Sequence, residues 1–307
     1  MKTTNKTTNK TTNKSVSPLR YPGGKTKLVP FLSHTILINQ IKNPIFCEPF
    51  AGGAGLSLKL LLEGKIERVI LNDVDQGIYS FWYAVFFDTQ RLIDKITQIE
   101  VSLKERERCK NVLFEHCNNG KTSGYNFDLG FATFFLNRVN VSGIIKGGAI
   151  GGIKQEGKFK IDSRFGKLGL IAKILKLAEF RDKVRLFNLD VIKFINAVLL
   201  CDDVVGNKED LFIFFDPPYF RQGKTLYSEF YRAEDHFCLA SIIKKKFSDF
   251  HWILTYDNES FIFDLYKNFN PKRFSLRYSS NAKMTATELM FSSSKTKTES
   301  FGKIQLF

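Results

Sequence analysis

Three glycines separate a short apolar run from a helical pattern in the segment FCEPFAGGAGLSLKL, at residues 46–60. The apolar run at 45–47 has the length of a buried strand, and residues 56–62 have the leucine density of a buried helix. A second short strand pattern follows at 68–71 and ends just before Asp73. This order of strand, glycine turn, helix and strand predicts the beginning of a parallel α/β sheet.

Helical and strand patterns continue along the chain. Helical patterns lie at 28–41 and 78–87, and further strand patterns lie at 184–187, 211–215, 252–255 and 288–291. Between them, residues 88–182 carry helical patterns, few strand signals and the Gly- and Lys-rich stretch GGAIGGIKQEGKFK. We therefore predict an α/β fold whose mostly parallel, twisted sheet is interrupted by a helical insert. The sheet domain comprises 15–87 plus 183–307, and the insert has the size of a small domain.

The first fourteen residues repeat the motif Thr-Thr-Asn-Lys and contain no large apolar side chain after Met1. Such a segment buries too little apolar surface to offset the entropy of ordering, so 1–14 is predicted to be a disordered basic tail. In the whole chain Lys and Arg outnumber Asp and Glu by 46 to 31, a formal charge of +15. This excess favours a polyanionic partner such as nucleic acid, although a basic protein without such a partner has the same composition.

Several classes of protein are disfavoured by the composition. Apolar stretches are too short for a membrane span, and the N-terminus has no apolar signal core, so we expect a soluble cytoplasmic protein. The number of cysteines is odd and no C-x-x-C pair is present. We therefore expect neither a disulfide framework nor a bound metal.

The glycine loop has the chemistry of a nucleotide site. Glycine allows a sharp turn and close approach of a ligand, and the following helix begins with unpaired amide groups. Asp73 follows the next strand, where nucleotide-binding folds place an acid that accepts ribose hydroxyl hydrogen bonds. The glycines lack G-x-G-x-x-G spacing, which argues against a dinucleotide site and a dehydrogenase. The loop and Asp73 together predict an adenosine-containing cofactor.

A second turn-forming segment, RYPGGKTK at 20–27, would bring Tyr21 and Lys25 together, although taken alone it is better explained as an exposed loop. The strand pattern at 211–215 ends at Asp216. Because parallel sheets bind ligands at the carboxyl ends of their strands, Asp216 should lie on the same sheet edge as Glu48 and Asp73.

Two prolines and a tyrosine follow Asp216. Pro217 and Pro218 have no amide donor, which leaves a carboxylate, the Pro217 carbonyl and the aromatic ring of Tyr219. The two acceptors and the ring fit a planar ligand that carries an NH₂ group.

Four ordered segments, RYPGGK, EPFAGGAG, LNDVD and DPPY, resemble those of the Dam-like (D12 class, alpha-type) DNA adenine methyltransferases, which use S-adenosylmethionine. FFLNRVNVSGI, EDHFCLA and YSSNAKMTATELMF extend the resemblance over residues 18–292. The resemblance implies a Rossmann-like methyltransferase fold. It also implies methyl transfer to the exocyclic 6-amino group of adenine in a short sequence of double-stranded DNA.

The resemblance assigns roles to individual residues. It implies cofactor binding by Tyr21, Lys25, Glu48, Phe50, Gly52, Gly53, Asp73 and Asp216. Asp190 is a candidate contact to the cofactor adenine, with helix capping as an alternative that is at least as good. In catalysis, Asp216 and the Pro217 carbonyl would hold the amine hydrogens, and Tyr219 would stack on an adenine flipped from the duplex.

The insert at 88–182 is the predicted target-recognition domain. Its candidate DNA contacts are Arg138, Lys146, Lys154 and Arg164. The GGAIGG stretch would approach DNA or form a flexible surface loop, two equal alternatives. Well-known members have an aromatic residue and Asn before the glycine, where this chain has Val141-Ser142-Gly143, and Arg where Lys146 stands. A GATC target is therefore not implied.

The predicted biological role is that of a monomeric methylase, either paired with a separately acting restriction endonuclease or orphan. One alternative is an enzyme that methylates another planar amine, such as RNA adenine or a glutamine amide. Relatives of that kind often have Asn in place of the first Asp, so Asp216 argues against it. The other alternative is a non-catalytic DNA-binding protein of the same fold, against which Asp73 and the intact segment 216–219 argue.

Overall fold

The computed structural model of the protein describes residues 15–21, 23–118, 124–199, 201, 205–221, 231–278 and 284–307. The predicted basic tail at 1–14 lies outside these ranges, as do Pro22 and residues 279–283 of the segments that carry the family resemblance. No helix within the described ranges is long and apolar enough to cross a membrane.

Seven strands in the described residues form one sheet, in the order β3-β2-β1-β4-β5-β7-β6. They are β1 (Ile45–Glu48), β2 (Arg68–Asn72), β3 (Val184–Phe187), β4 (Leu211–Phe215), β5 (His251–Asp257), β6 (Lys272–Tyr278) and β7 (Met284–Ser292). Neighbours from β3 to β5 are parallel, whereas β7 is antiparallel to β5 and β6. The predicted mostly parallel sheet is therefore confirmed.

Every residue of β1, β4 and β5 is buried. Helices cover both faces of a parallel sheet, so its central strands are apolar in succession rather than in alternation. This arrangement explains the sequence IFCE in β1 and LFIFF in β4. Within β1, Phe46 belongs to the apolar core on one face, and Ile45 and Cys47 belong to the core on the other.

Ten helices lie in the described residues: α1 (Val29–Ile38), α2 (Gly55–Leu62), α3 (Gln76–Phe87), α4 (Thr89–Gln98), α5 (Leu103–Asn118), α6 (Phe127–Val139), α7 (Lys167–Ala178), α8 (Val191–Phe194), α9 (Ala233–Lys246) and α10 (Ser260–Tyr266). The helix predicted at 78–87 begins two residues earlier than its apolar pattern. The reason is Asp75, whose carboxylate caps α3 by accepting hydrogen bonds from the amides of Gly77 and Ile78.

The residues predicted to form the insert pack closely on those predicted to form the sheet domain. Helix α6 lies against α3, where the rings of Phe81 and Phe134 stack at a centroid distance of 5.0 Å. The core of α6 is thus continuous with the core on one face of the sheet. The predicted boundaries at 88 and 182 fall between α3 and α4 and just before β3, but the division into two domains stays a prediction.

Candidate active site

Acidic side chains lie at the carboxyl ends of four adjacent parallel strands. Glu48 ends β1, Asp73 follows β2, Asp190 follows β3 and Asp216 follows β4. They line a cavity of about 350 Å³, a volume typical of a small-molecule site. The same cavity is lined by all the residues predicted to bind the cofactor, namely Tyr21, Lys25, Glu48, Phe50, Gly52, Gly53, Asp73, Asp190 and Asp216.

Asp73 holds the glycine loop. Its Oδ2 accepts a hydrogen bond from the Gly52 amide at 2.7 Å, and its Oδ1 accepts one from the Asp75 amide at 2.9 Å. Burial raises the pKa of Asp73 to about 7, the charge of Asp75 adds to the rise, and the two amide hydrogen bonds oppose it. The predicted ribose contact stays a prediction; the structure adds that this carboxylate organises the loop.

Tyr21 explains why two of the glycines are needed. A Cβ atom at Gly52 would lie 2.6 Å from the Tyr21 ring, and one at Gly53 would lie 2.5 Å from the Tyr21 Cβ. Gly52 also has a positive φ of 46°, which favours glycine. The indole of Trp82 donates to the Gly52 carbonyl at 2.8 Å. The loop is therefore packed between two aromatic side chains.

Glu48 is a buried acid on the same sheet edge. Its Oε2 accepts a hydrogen bond from Ser57 Oγ at 2.6 Å. Burial raises the pKa of Glu48 to about 8; the Ser57 hydrogen bond opposes this rise, and the negative charge of Asp216 adds to it. The buried position therefore favours the protonated form of Glu48 near neutral pH.

Both carboxylate oxygens of Asp216 have partners. Lys25 Nζ lies 3.1 Å from Oδ2, and Thr255 Oγ1 donates to Oδ1 at 2.8 Å. Lys25 is only 5% exposed and also donates to the Gly23 carbonyl. The segment at 20–27, which taken alone is better explained as an exposed loop, thus places a buried cation, Lys25, beside Asp216.

Tyr219 lies beside this ion pair. Its hydroxyl donates to Glu288 Oε2 at 2.6 Å, and Lys25 Nζ lies 4.8 Å from the centre of its ring. Pro217 is buried, whereas Pro218 lines the cavity. The catalytic roles given to Asp216, Pro217 and Tyr219 stay predictions.

Asp190 is a helix cap. Its Oδ1 accepts hydrogen bonds from the amides of Ile192 and Lys193, at 2.9 Å and 3.4 Å, at the beginning of α8. The capping alternative is therefore confirmed, and the contact with the cofactor adenine stays a prediction. Both functions are compatible with a position in the cavity wall.

The predicted DNA contacts divide into two groups. Lys146, Lys154 and Arg164 are exposed, and Lys146 lies at the edge of the cavity. Arg138 is partly buried and donates to the carbonyls of Pro18 and Arg164. Burial lowers the pKa of Arg138 to about 10, and the charges of Arg20 and Arg164 add to this effect. Arg138 thus connects the segments around Pro18 and Arg164 through hydrogen bonds to their backbone, a role that the sequence did not predict.

Asn137 is an important residue that the sequence analysis missed. Its Oδ1 accepts from the Arg20 amide at 2.8 Å, and its Nδ2 donates to the carbonyls of Arg20 and Gly143 at 3.0 Å and 2.8 Å. Within the segment FFLNRVNVSGI the sequence predicts a DNA contact at Arg138, because that residue is charged, and gives no role to the neutral Asn137. Thr255 and Glu288 were also missed, because they lie within strands rather than at their ends. Asp257 ends the parallel strand β5, so its position after the strand pattern at 252–255 was a signal that could have identified it.

The D12 class N6 adenine-specific DNA methyltransferase family matches the chain across residues 21–280. The chain is similar to the Type II methyltransferase M.MjaIII of Methanocaldococcus jannaschii, with 24% identity over 274 residues, 83% of this chain and 89% of that protein.

Two solved structures are weakly similar. One is the rRNA methyltransferase aviRa of Streptomyces viridochromogenes, with a TM-score of 0.34, 11% identity, and 90% of this chain and 87% of that chain covered. The other is an uncharacterized protein of Listeria monocytogenes serotype 4b, with a TM-score of 0.33, 8% identity, and 88% and 70% covered.

Proposed function

This chain belongs to the D12 class N6 adenine-specific DNA methyltransferases, and we propose that its methyl donor is S-adenosylmethionine. The proposed acceptor is the 6-amino group of an adenine within a short sequence of duplex DNA. The observation that carries the proposal is the arrangement of Asp216, held by Lys25 and Thr255, in a cavity that also contains the glycine loop.

The chemistry of the cavity wall fits S-adenosylmethionine. This cofactor supplies a methyl group made electrophilic by a sulfonium, and its methionine part carries an ammonium. The Glu48 and Asp73 carboxyl groups can accept hydrogen bonds from an ammonium and from ribose hydroxyls, and a bound cation would favour their ionised forms. Tyr21, Phe50, Gly52 and Gly53 would shape the wall, and Asp190 would lie near the adenine.

Asp216 would act on the target amine rather than on the methyl group. The lone pair of an exocyclic adenine amine is delocalised into the ring, which makes the nitrogen a poor nucleophile. The Asp216 carboxylate and the Pro217 carbonyl would accept hydrogen bonds from its two N–H groups and favour a pyramidal nitrogen. When the nitrogen has taken the methyl group, it would release one of these protons through the Asp216 carboxylate to solvent. Because Lys25 and Thr255 fix the carboxylate, rate acceleration would come mainly from alignment and electrostatics.

DNA would bind across the insert, 88–182, and the sheet domain, 15–87 plus 183–307. The exposed cations Lys146, Lys154 and Arg164 would contact phosphates or base edges. The target adenine must leave the duplex to reach Asp216, and Tyr219 would stack on it there.

The proposed biological role is DNA modification by a monomeric enzyme within a restriction-modification system, with the endonuclease acting separately. The similarity to a protein named a Type II methyltransferase agrees with this role. An orphan methylase is the alternative.

The decisive experiment is methyl transfer from tritiated S-adenosylmethionine to varied DNA duplexes, followed by identification of the labelled base. Structured RNA and a glutamine-containing peptide serve as competing acceptors, and Asp216→Ala provides the background. We expect label in N6-methyladenine of duplex DNA. Label confined to RNA or peptide would overturn the proposed acceptor, and DNA binding without any transfer would support the non-catalytic alternative.

A further inference from the structure

Three side chains of β5 and β7 contact the segment that begins at Asp216. Thr255 donates to the Asp216 carboxylate, and Glu288 accepts from the Tyr219 hydroxyl. The Asp257 carboxylate accepts from the amides that follow Tyr219, those of Phe220 at 3.0 Å and Arg221 at 2.9 Å. Asp257 and Glu288 are direct partners in the antiparallel pairing of β5 with β7. The two strands therefore form a support for the whole segment.

Glu288 is unusual within this support. It is 1% exposed and is followed in β7 by the buried apolar residues Leu289, Met290 and Phe291. A carboxylate in such surroundings is costly unless cations or hydrogen-bond donors compensate it. Glu288 Oε2 lies 2.6 Å from the Tyr219 hydroxyl and 3.9 Å from Lys25 Nζ. The same oxygen thus faces two residues of the candidate site.

We propose that Glu288 is a positioning residue for methyl transfer, which fixes the ring of Tyr219 and retains the ammonium of Lys25 beside Asp216. This inference rests on the proposed function, because it concerns the surface on which the target adenine would stack. A hydrogen bond at the tip of the phenol restricts the tilt of the ring.

Lys25 gives Glu288 a second function. The ammonium lies between two carboxylates, at 3.1 Å from Asp216 and 3.9 Å from Glu288. When the target amine competes for the Asp216 oxygens, Glu288 offers Lys25 an alternative partner inside the site. The positive charge then stays close to the reacting groups without occupying the acceptor.

The test uses Glu288→Gln, which keeps the shape and an acceptor but removes the charge, and Glu288→Ala, which removes both. Tyr219→Phe keeps the ring and removes the hydroxyl, and Glu63→Gln is a matched control at an exposed glutamate. Single-turnover rates are measured at saturating S-adenosylmethionine and DNA. Dissociation constants for S-adenosylhomocysteine and for DNA are measured separately, and thermal unfolding checks the fold.

We expect the single-turnover rate to fall about tenfold in Glu288→Gln and about 10²-fold in Glu288→Ala, as for loss of preorganised electrostatic contacts. Both dissociation constants should change less than about threefold. A loss of about 1.4 kcal/mol of binding free energy would instead change them tenfold. In the double variant that combines Glu288→Gln with Tyr219→Phe, the rate should fall by less than the product of the two single effects, because the two residues share one hydrogen bond. With 2-aminopurine at the target position, Glu288→Ala should change the fluorescence of the bound duplex.

The experiment distinguishes a failure of the proposed function from a failure of the positioning role of Glu288. An inactive wild-type enzyme would overturn the proposed function. An active wild type with Glu288→Gln and Glu288→Ala at the wild-type rate would overturn only the positioning role. If both Glu288 variants fail to fold, Tyr219→Phe decides: a reduced single-turnover rate with unchanged binding supports the role, and an unchanged rate overturns it.

Discussion

Lys25 Nζ lies 3.1 Å from the Asp216 carboxylate and joins the segment before α1 to the residue that follows β4. The Lys25 side chain is almost completely buried, whereas that of Asp216 is 23% exposed and faces the cavity. A buried ammonium is costly without a carboxylate partner. The two residues therefore form one unit, although the sequence suggests a separate role for each.

Replacing Asp216 should slow methyl transfer without weakening DNA binding. In Asp216→Asn the side-chain amide would face Lys25 or Thr255 as a donor, so the acceptor geometry is lost. We expect the single-turnover rate to fall about 10²–10³-fold, while affinity for duplex DNA changes little. Asp249→Asn, at an exposed aspartate, is the control. Near-normal turnover by Asp216→Asn would contradict the proposed mechanism.

Asp73→Asn should weaken cofactor binding more than DNA binding. Both Asp73 oxygens accept backbone amide hydrogens, and an asparagine NH₂ group would oppose one of those donors. Calorimetry with S-adenosylhomocysteine should give an affinity at least about tenfold lower, the effect of losing one charged hydrogen bond. Asp182→Asn is the matched control at an exposed aspartate. Unchanged affinity would remove Asp73 from the cofactor site.

The parallel strands explain which parts of the site could be predicted. Their carboxyl ends necessarily meet at one edge, so the acids after successive strand patterns could be grouped from sequence alone. Glu288 could not be found in this way, because β7 is antiparallel and its side chains reach the site from within the strand. Its partnership with Tyr219 depends on how β7 inserts between β5 and β6. Similarly, the buried amide of Asn137 carries no charge that would distinguish it from a core polar residue.

Glu48 should make stability depend on pH. Its folded-state pKa of about 8 lies well above that of an unfolded glutamate, so the folded protein retains a proton that the unfolded chain has released. The free energy of unfolding of the wild type, relative to that of Glu48→Gln, should therefore fall as pH rises from about 5 to about 8. The fall should be at most about 1.4 kcal/mol per pH unit. Urea unfolding of both proteins across this range measures the difference. A constant difference would show that Glu48 is not protonated in the folded state.

Asn137→Ala should destabilise the protein. The substitution leaves the Arg20 amide and the carbonyls of Arg20 and Gly143 without their side-chain partner. We expect unfolding free energy to fall by about 2–4 kcal/mol, since each unsatisfied buried polar group costs about 1–3 kcal/mol. Asn118→Ala, at an exposed position in α5, should have little effect. Equal stability of both variants would show that Asn137 does not hold these segments together.

Lys146 should influence which DNA sequence is methylated. Its loop is held firmly: Arg106 donates to Asn140 Oδ1 and to the Gly147 carbonyl, and Asn140 Nδ2 donates to the carbonyls of Ile144 and Ile145. A cation on a preorganised loop at the cavity edge suits a directional contact with a base. Lys146→Ala should therefore change the ranking of target sequences, because one bidentate base contact is worth about 1–3 kcal/mol of discrimination.

Methylation of a randomised duplex pool by wild type and variants, sequenced for modified adenine, distinguishes base contacts from phosphate contacts. Lys154→Ala and Arg164→Ala are the matched comparisons, since both side chains are exposed cations of the same insert. Arg138 is a poorer choice because backbone carbonyls hold its guanidinium. A uniform loss with Lys146→Ala, accompanied by a weaker salt dependence, would assign Lys146 to the phosphate backbone. If none of the three variants, alone or combined, alters preference or affinity, target recognition does not depend on these cations.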